Sequence, residues 1–471
     1  MCYIGDINGG LVKMKNIYLV NYSVKGIKTL DELVSLSFYK KTITRNPDTQ
    51  GYNIKGIYGM NGSGKSAIIS SVDILRNILV DAAYLNNPIV QKNLEAIINK
   101  KLGELYIQAD YMIKGANDPV LFKYMVTLSK DNTGRYVISR EQLSFRRALS
   151  KSESMAVLFD VADGELVSAY TDDGQDEFYV ELLNKTMNLL STASVSSIFN
   201  KKFLDTKSNI PPKTKSVLWI GIFGLLAFDR KLHVYLDQSD DHTEYVAFNS
   251  LKSYLDSENY NDEFHSVINN LRDMDNDYLN VLTISGNRVF KGLYGQYEET
   301  ISKLYEFLHI FKSDLRGIEI DKKENKDFWV CDLVMVYDGY KIHTEYESTG
   351  IKKLIKLFAY INEMVRGGIV FIDELDSNLH DVYLCALLEY LMEYGQGQLC
   401  FTTHNVGPMD VLKQHKKSID FLSENHKIYP WTTNGNYSPS KLYRNGMIEG
   451  SPFNVDATDF ISIFGAGAED E

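Results

Sequence analysis

Residues 52–66 read YNIKGIYGMNGSGKS, and the fold turns on how this stretch is parsed. Tyr52 to Tyr58 is rich in β-branched and aromatic residues and predicts a strand. Gly59-Met60-Asn61-Gly62-Ser63-Gly64-Lys65-Ser66 then matches GxxxxGK[ST]. Beyond it, Ile68, Ile69, Val72, Leu75, Ile78 and Leu79 recur at helical spacing, so a helix is predicted from Lys65 into the eighties. Strand, glycine-rich turn and helix in that order form a phosphate cradle. The turn folds tightly, so that backbone N–H groups from Asn61 to Ser66 converge on phosphate oxygens at the positive end of the helix. Lys65 is expected to reach the β- and γ-phosphates, and Ser66 to place its hydroxyl on Mg²⁺.

Working outward, Ile369-Val370-Phe371-Ile372-Asp373-Glu374 is an apolar run ending in two carboxylates, the pattern of a buried parallel strand. Asp373 is placed to hold Mg²⁺, and Glu374 to orient or deprotonate a water; phosphoryl transfer needs little beyond such positioning and charge neutralisation. Upstream, Glu347-Ser348-Thr349-Gly350 precedes a helix whose apolar positions include Ile351, Leu354, Ile355, Phe358 and Ile361. A serine and a glycine opening a helix make an anion-binding end, although an ordinary N-cap reads the same way. Downstream, Gln398 to Asn405 (QLCFTTHN) predicts another core strand, delivering His404 to the same sheet edge.

The order of these four segments resembles ABC-type ATPases, with Walker A, signature, Walker B, D-loop and switch histidine. Leu375-Asp376-Ser377-Asn378-Leu379-His380 resembles the D-loop of the RecF/SMC-like branch. The resemblance covers the first hundred or so residues and about the last hundred and fifty. It implies an ATP-binding, ATP-hydrolysing head with Mg²⁺ as cofactor, Glu374 and His404 as catalytic residues, and Asp373 and Ser66 on the metal. It also implies a head-to-tail dimer or higher oligomer, in which Ser348 and Gly350 of one subunit close on the ATP of the other. The signature departs from LSGGQ, with Glu347 for leucine and Thr349 for the first glycine. For a Q-loop only Gln108 offers itself, and for adenine stacking Tyr22 and Tyr39.

The implied fold is α/β: an ABC-type head with a mixed sheet flanked by helices, an antiparallel β subdomain and a largely helical inserted lobe. Residues 1–147 carry Walker A and short alternating strands from about Glu104 to Phe145. Residues 148–315 read as mostly helical, with a break at 209–212 and an acidic stretch at 237–277. Residues 316–471 return to strands and carry the remaining motifs. Within the acidic stretch, Asp273, Asp275 and Asp277 are spaced like the start of a calcium loop. Tyr278 and Ile284 stand where that loop needs glycine and glutamate, which favours a solvated acidic face. His343, Glu345 and Glu347 alternate and would share one strand face.

Composition bounds the function classes. A net charge of -12 argues against a generally basic nucleic-acid binder. Cys2, Cys331, Cys385 and Cys400 form no metal or CxxC spacing, and thiols in apolar surroundings fit a reducing cytoplasm. The longest apolar run, Val217 to Phe228, is short of the roughly 20 residues a membrane span needs and predicts a buried helix, so no membrane association is expected.

The strings ESTGIKKLIKLF, VFIDELDSNLH and QLCFTTHN most resemble bacterial ATPases of the OLD/PARIS/Septu anti-phage group. No Toprim or HNH constellation follows His404. The resemblance therefore implies a sensor or scaffold ATPase that controls a separate nuclease or toxin chain, with a phage-derived trigger. The competing reading is a RecF/SMC-like DNA-maintenance ATPase that clamps DNA directly, using Lys352, Lys353 and Lys356, or Lys413, Lys416 and Lys417. A third is a nucleotide-dependent scaffold with little turnover.

Overall fold

A computed structural model describes residues 17–114, 118–149, 154–171, 177–199, 217–236, 282–326, 328–432 and 437–452. In chain order, β1 (Ile17–Lys25) and β2 (Val34–Ser37) lead to β3 (Ile54–Tyr58), α1 (Lys65–Val80) and α2 (Pro88–Ile97). Five strands follow: β4 (Glu104–Ile113), β5 (Val120–Lys130), β6 (Tyr136–Arg147), β7 (Ala156–Ala162) and β8 (Glu165–Ala169). Next come α3 (Glu177–Lys185), α4 (Val217–Lys231), β9 (Leu232–Tyr235), β10 (Asn287–Phe290) and α5 (Tyr294–Phe311). After them stand β11 (Leu315–Glu324), β12 (Phe328–Tyr337), β13 (Tyr340–His343), α6 (Thr349–Val365) and β14 (Ile369–Ile372). The described elements end with α7 (Asp381–Tyr394), β15 (Gln398–Thr402), α8 (Gly407–Leu412), β16 (Ile419–Leu422), β17 (Ile428–Pro430) and α9 (Pro439–Arg444).

The molecule is mixed α/β, built on a six-stranded sheet ordered β17-β16-β3-β15-β14-β9. The five strands from β16 to β9 are parallel. Each is short and largely buried because helices cover both faces, so its residues are mainly apolar on both sides rather than alternating, with the Lys55–Asp420 pair set inside the sheet. One face packs on α1, whose Ile68, Val72, Leu75 and Leu79 are buried. The other carries Leu357, Ile361 and Met364 of α6 and Leu384, Leu388 and Leu391 of α7.

On the far side of α1 lies a seven-stranded antiparallel sheet, β2-β1-β4-β5-β6-β7-β8. Its long strands β4, β5 and β6 alternate buried and more exposed positions along most of their length, as one-sided packing requires. The sheet does not stop at residue 147, where a boundary was expected: β7 and β8 continue it by antiparallel pairing from β6. The region expected to be mostly helical also supplies β9 to the core sheet and β10 to a smaller one. Short strands flanked by helical runs carry too little periodicity to be separated from them by pattern alone. Val217 to Phe228 lies within α4, with Leu218, Ile222, Leu225 and Phe228 buried. The break at 209–212 and the acidic stretch with Asp273, Asp275 and Asp277 lie outside the described residues.

A third unit sets β10-β12-β11, with β13 beside β12, against α5 and the start of α6. Here one expectation fails. His343 ends β13, but Thr344–Tyr346 form a 3-10 turn, so Glu345 and Glu347 do not share a strand face with it. Glu347 instead accepts the Tyr337 hydroxyl at 2.6 Å and the Ser348 N–H at 3.1 Å.

One side chain joins the two large sheets. Gln398, at the start of β15, accepts the Leu19 N–H at 2.6 Å and donates to the Leu19 carbonyl at 2.9 Å. Its amide stands in for a peptide at the point where the β1–β4 register shifts between Leu19 and Asn21. Gln398→Leu leaves both buried backbone groups unpaired and is expected to destabilise the fold by about 1–3 kcal/mol. Urea unfolding followed by circular dichroism checks this, and an unchanged midpoint would refute the bridging role.

Candidate functional site

The C-terminal ends of β3, β15 and β14 lie side by side, and each carries one of the segments singled out in the sequence. Gly59–Ser66 leaves β3, Thr403-His404 leaves β15, and Asp373-Glu374 leaves β14. Placing β15 between the other two brings three segments that are far apart in the chain to one sheet edge, where open α/β sheets bind ligands.

The turn from β3 into α1 depends on two glycines. Gly64 caps α1 with φ of 104°, and a Cβ there would run into the Leu30 side chain. At Gly59 a Cβ would meet the Leu422 carbonyl at 2.5 Å. Lys65 is 6% exposed, and its ammonium donates to the carbonyls of Gly59 at 2.8 Å and Met60 at 3.0 Å. Burial lowers its pKa to about 8, against the pull of Asp373, Glu374 and Asp376. The Ser63 hydroxyl is buried in the turn without a hydrogen-bond partner among the described residues, which is unusual for an interior polar atom. A cradle of backbone donors, an idle hydroxyl and a lysine folded back on the loop fits a polyphosphate. Ser66 is the second residue of α1.

Across the sheet edge, Asp373 is 4% exposed and its Oδ1 accepts the Thr402 hydroxyl at 2.6 Å. Thr402 Oγ1 in turn accepts the Glu374 N–H at 2.8 Å. Glu374 has φ of 48°, outside the usual range for a side chain of its size. Among the described residues no three His, Cys, Asp or Glu cluster as a metal cage. The donors that Ser66 and Asp373 offer are oxygens, a set that fits Mg²⁺, which takes one or two protein oxygens and fills its shell with phosphate and water.

His404 is exposed, yet burial and the Lys65 ammonium lower its pKa, opposed by Asp376, Glu374 and Asp373. It thus shares one electrostatic neighbourhood with the turn and the acidic pair. Sequence reading had quoted Asp376 without giving it a role. Its carboxylate acts on both Lys65 and His404, and its Oδ1 is buried without a partner among the described residues. Thr402 was missed as well; its only signal was a hydroxyl closing the apolar run Leu399 to Phe401, two residues before His404.

Ser348 N-caps α6, its Oγ accepting the Ile351 N–H at 3.4 Å. Ser348 and Thr349 are exposed, and a Cβ on Gly350 would lie 3.0 Å from the Asn378 carbonyl. The Ser348–Gly350 segment therefore stands against its own chain's 375–380 loop, with its helix end open to solvent.

Other expectations are corrected. Tyr22 is 1% exposed, bonded to the Ser71 hydroxyl at 2.7 Å and packed near Phe371, so it is a core residue. Tyr39 is equally buried, between Tyr18 and Tyr52, and neither ring is available to a base. Gln108 lies on β4 with its amide bonded to Tyr106 and Asp110 of the same strand. Cys331 and Cys400 are buried free thiols, but Cys385 is half-buried beside Asp381. Of the lysines considered for DNA, Lys353 points inward, Lys416 pairs with Asp48 at 2.9 Å, and Lys417 donates to Ser37. No helix among the described residues is long and apolar enough to cross a membrane.

No family model matches the chain, and no curated protein does. Among solved structures it is similar to an Smc head domain with a coiled coil and joint derived from Pyrococcus yayanosii, at 12% identity and a TM-score of 0.39, covering 89% of this chain and 97% of that one. It is also similar to the recombination mediator protein RecF-ATPrS of the RecFOR pathway, at 12% identity and a TM-score of 0.36, covering 88% and 99%.

Proposed function

We propose that the chain is an ABC-type ATPase that binds ATP with Mg²⁺ and hydrolyses it. The observation that carries this reading is the meeting of Lys65, Asp373, Glu374, Asp376 and His404 at the ends of three adjacent parallel strands. In it, Asn61 to Ser66 hold the phosphates, Ser66 and Asp373 hold the metal, which neutralises phosphate charge when bound, and Glu374 polarises the attacking water. His404 is within electrostatic range of Lys65, Asp373 and Glu374 and gives a hydrogen bond to the terminal phosphate or exchanges one with that water.

Ser348 and Gly350 open α6 towards solvent, an anion-binding helix end. Two copies arranged head to tail would each set this end on the other's nucleotide, so ATP is the ligand that favours the closed dimer or a higher oligomer. The sequence resemblance extends the proposal to a sensor and scaffold of an anti-phage system, controlling a separate nuclease or toxin chain.

The test is phosphate release together with native mass, with and without Mg-ATP, on the wild type and on Lys65→Ala, purified with its genomic neighbour co-expressed. Turnover and ATP-dependent association in the wild type, both lost in Lys65→Ala, with a second chain co-purifying, are the expected results. A wild type that stays alone and without turnover removes the ATPase reading. One that turns over but brings no second chain removes only the effector role.

A further inference from the structure

The Glu374 backbone is held in place from an unexpected direction, the first turns of α6. Lys353 lies there, 4% exposed, and donates to the Glu374 carbonyl at 2.5 Å and to the Ser377 hydroxyl. Its ammonium also stands 6.0 Å from the centre of the Tyr235 ring. Tyr235 in turn accepts the Asp373 N–H through its carbonyl at 2.9 Å. The lysine is therefore planted at the end of β14, on the loop that carries both carboxylates.

The backbone explains why such a grip matters. Glu374 has φ of 48°, a region that a side chain of its size enters only where the surroundings enforce it. Its N–H is tied to Thr402 Oγ1 on β15, and its carbonyl to Lys353 on α6. Peptide groups on both sides of the Glu374 Cα are thus pinned, which fixes the direction in which the carboxylate leaves the chain. The same helix touches the loop again at its other left-handed residue: Thr349 donates to Asn378 at 3.4 Å, and Asn378 has φ of 60°. Burying an ammonium is costly, and an apolar residue would seat the helix on the loop more cheaply. What an apolar residue cannot do is bind a carbonyl.

We propose that Lys353 is a positioning residue that aims the Glu374 carboxylate by gripping its backbone carbonyl from α6, a role that rests on the ATP-hydrolysis reading above. Because α6 is opened by Ser348, the helix end and the carboxylate are parts of one mechanical unit.

The experiment compares Lys353→Met, Lys353→Arg and Ser377→Ala with the wild type by kcat and KM for ATP, binding of a fluorescent ATP analogue, and thermal melting. Misplacing a reacting group by about 1 Å costs on the order of 100-fold, so kcat of Lys353→Met is expected to fall about 10- to 100-fold. Nucleotide binding and melting should stay at wild-type values. Lys353→Arg keeps the charge and a donor and should recover most of kcat, while Ser377→Ala, which spares the bond to Glu374, should lose less than Lys353→Met. Wild-type kcat in Lys353→Met overturns the inference. So does a loss of kcat that runs in step with lost binding and melting and that arginine does not restore. A wild type without turnover overturns the ATPase reading and this inference with it, whereas a wild type that turns over beside an unaffected Lys353→Met overturns this inference alone.

Discussion

Glu374→Gln is expected to lower ATP turnover about 100- to 10,000-fold, the span associated with loss of a positioned general base, while ATP binding is retained. Glutamine keeps the length and shape of the side chain and an acceptor oxygen, but it cannot take a proton. The Glu374 N–H to Thr402 and the carbonyl to Lys353 are backbone contacts, so they survive the substitution. Asp373, anchored separately on Thr402, keeps its place for the metal. The chemical step should therefore fail in a site that still fills. If two copies close on ATP, the variant accumulates the closed assembly, visible as a larger native mass in Mg-ATP than the wild type shows at steady state. Single-turnover phosphate release and nucleotide binding measured side by side decide it. Unchanged turnover would place the base elsewhere, and joint loss of binding and turnover would mean that Glu374 serves the fold of the loop rather than its chemistry.

The second large effect is on stability. Lys55 and Asp420 pair at 2.6 Å between β3 and β16, with side chains 1% and 3% exposed. Lys55 also donates to the Lys417 carbonyl at 2.7 Å. A charge pair so deep gains little net stability from its attraction, because desolvating both groups offsets most of it. Removing one partner is another matter, since the survivor stays buried and uncompensated. Asp420→Ala is expected to cost about 3–5 kcal/mol, and the volume-conserving double change Lys55→Met with Asp420→Leu to recover most of that loss. Urea unfolding of Lys55→Met, Asp420→Leu and the double variant provides the cycle, with Asp420→Ala measured beside them. A double variant as unstable as Asp420→Ala would show that the pair, rather than the burial of a lone charge, holds β16 beside β3. This strand pair also sets the Gly59 turn against Leu422, so Asp420→Ala is expected to weaken nucleotide binding as the sheet edge loosens.

How far the sequence reached depends on the range of the interactions involved. Gly59 to Ser66 announced its own conformation, because the constraints on that turn are local: a glycine that alone tolerates φ of 104°, and a helix that starts at the next residue. Ile369 to Glu374 and Gln398 to His404 were legible as buried strands because burial on both faces favours a continuous apolar run, Ile369 to Ile372 in one and Leu399 to Phe401 in the other. Their order pointed to one sheet edge, and the parallel registers of β3, β15 and β14 are what that order predicted.

The residues that went unread act across the chain. Gln398 imitates a peptide for Leu19, a partner 379 positions away. Thr402 bridges Asp373 and Glu374, and Lys353 looked like one of several lysines on a solvated helix face until α6 was seen to press its first turns onto the Glu374 loop. Tyr22 and Tyr39 looked available to a base for the same reason, since an aromatic residue reads alike in the sequence whether it faces a ligand or a core. Sequence by itself determined the chemistry on offer, the glycine-rich turn and the strands that carry the acids. Only the tertiary structure decided which side chains aim them, because burial and pairing at long separation leave no periodic trace in the chain.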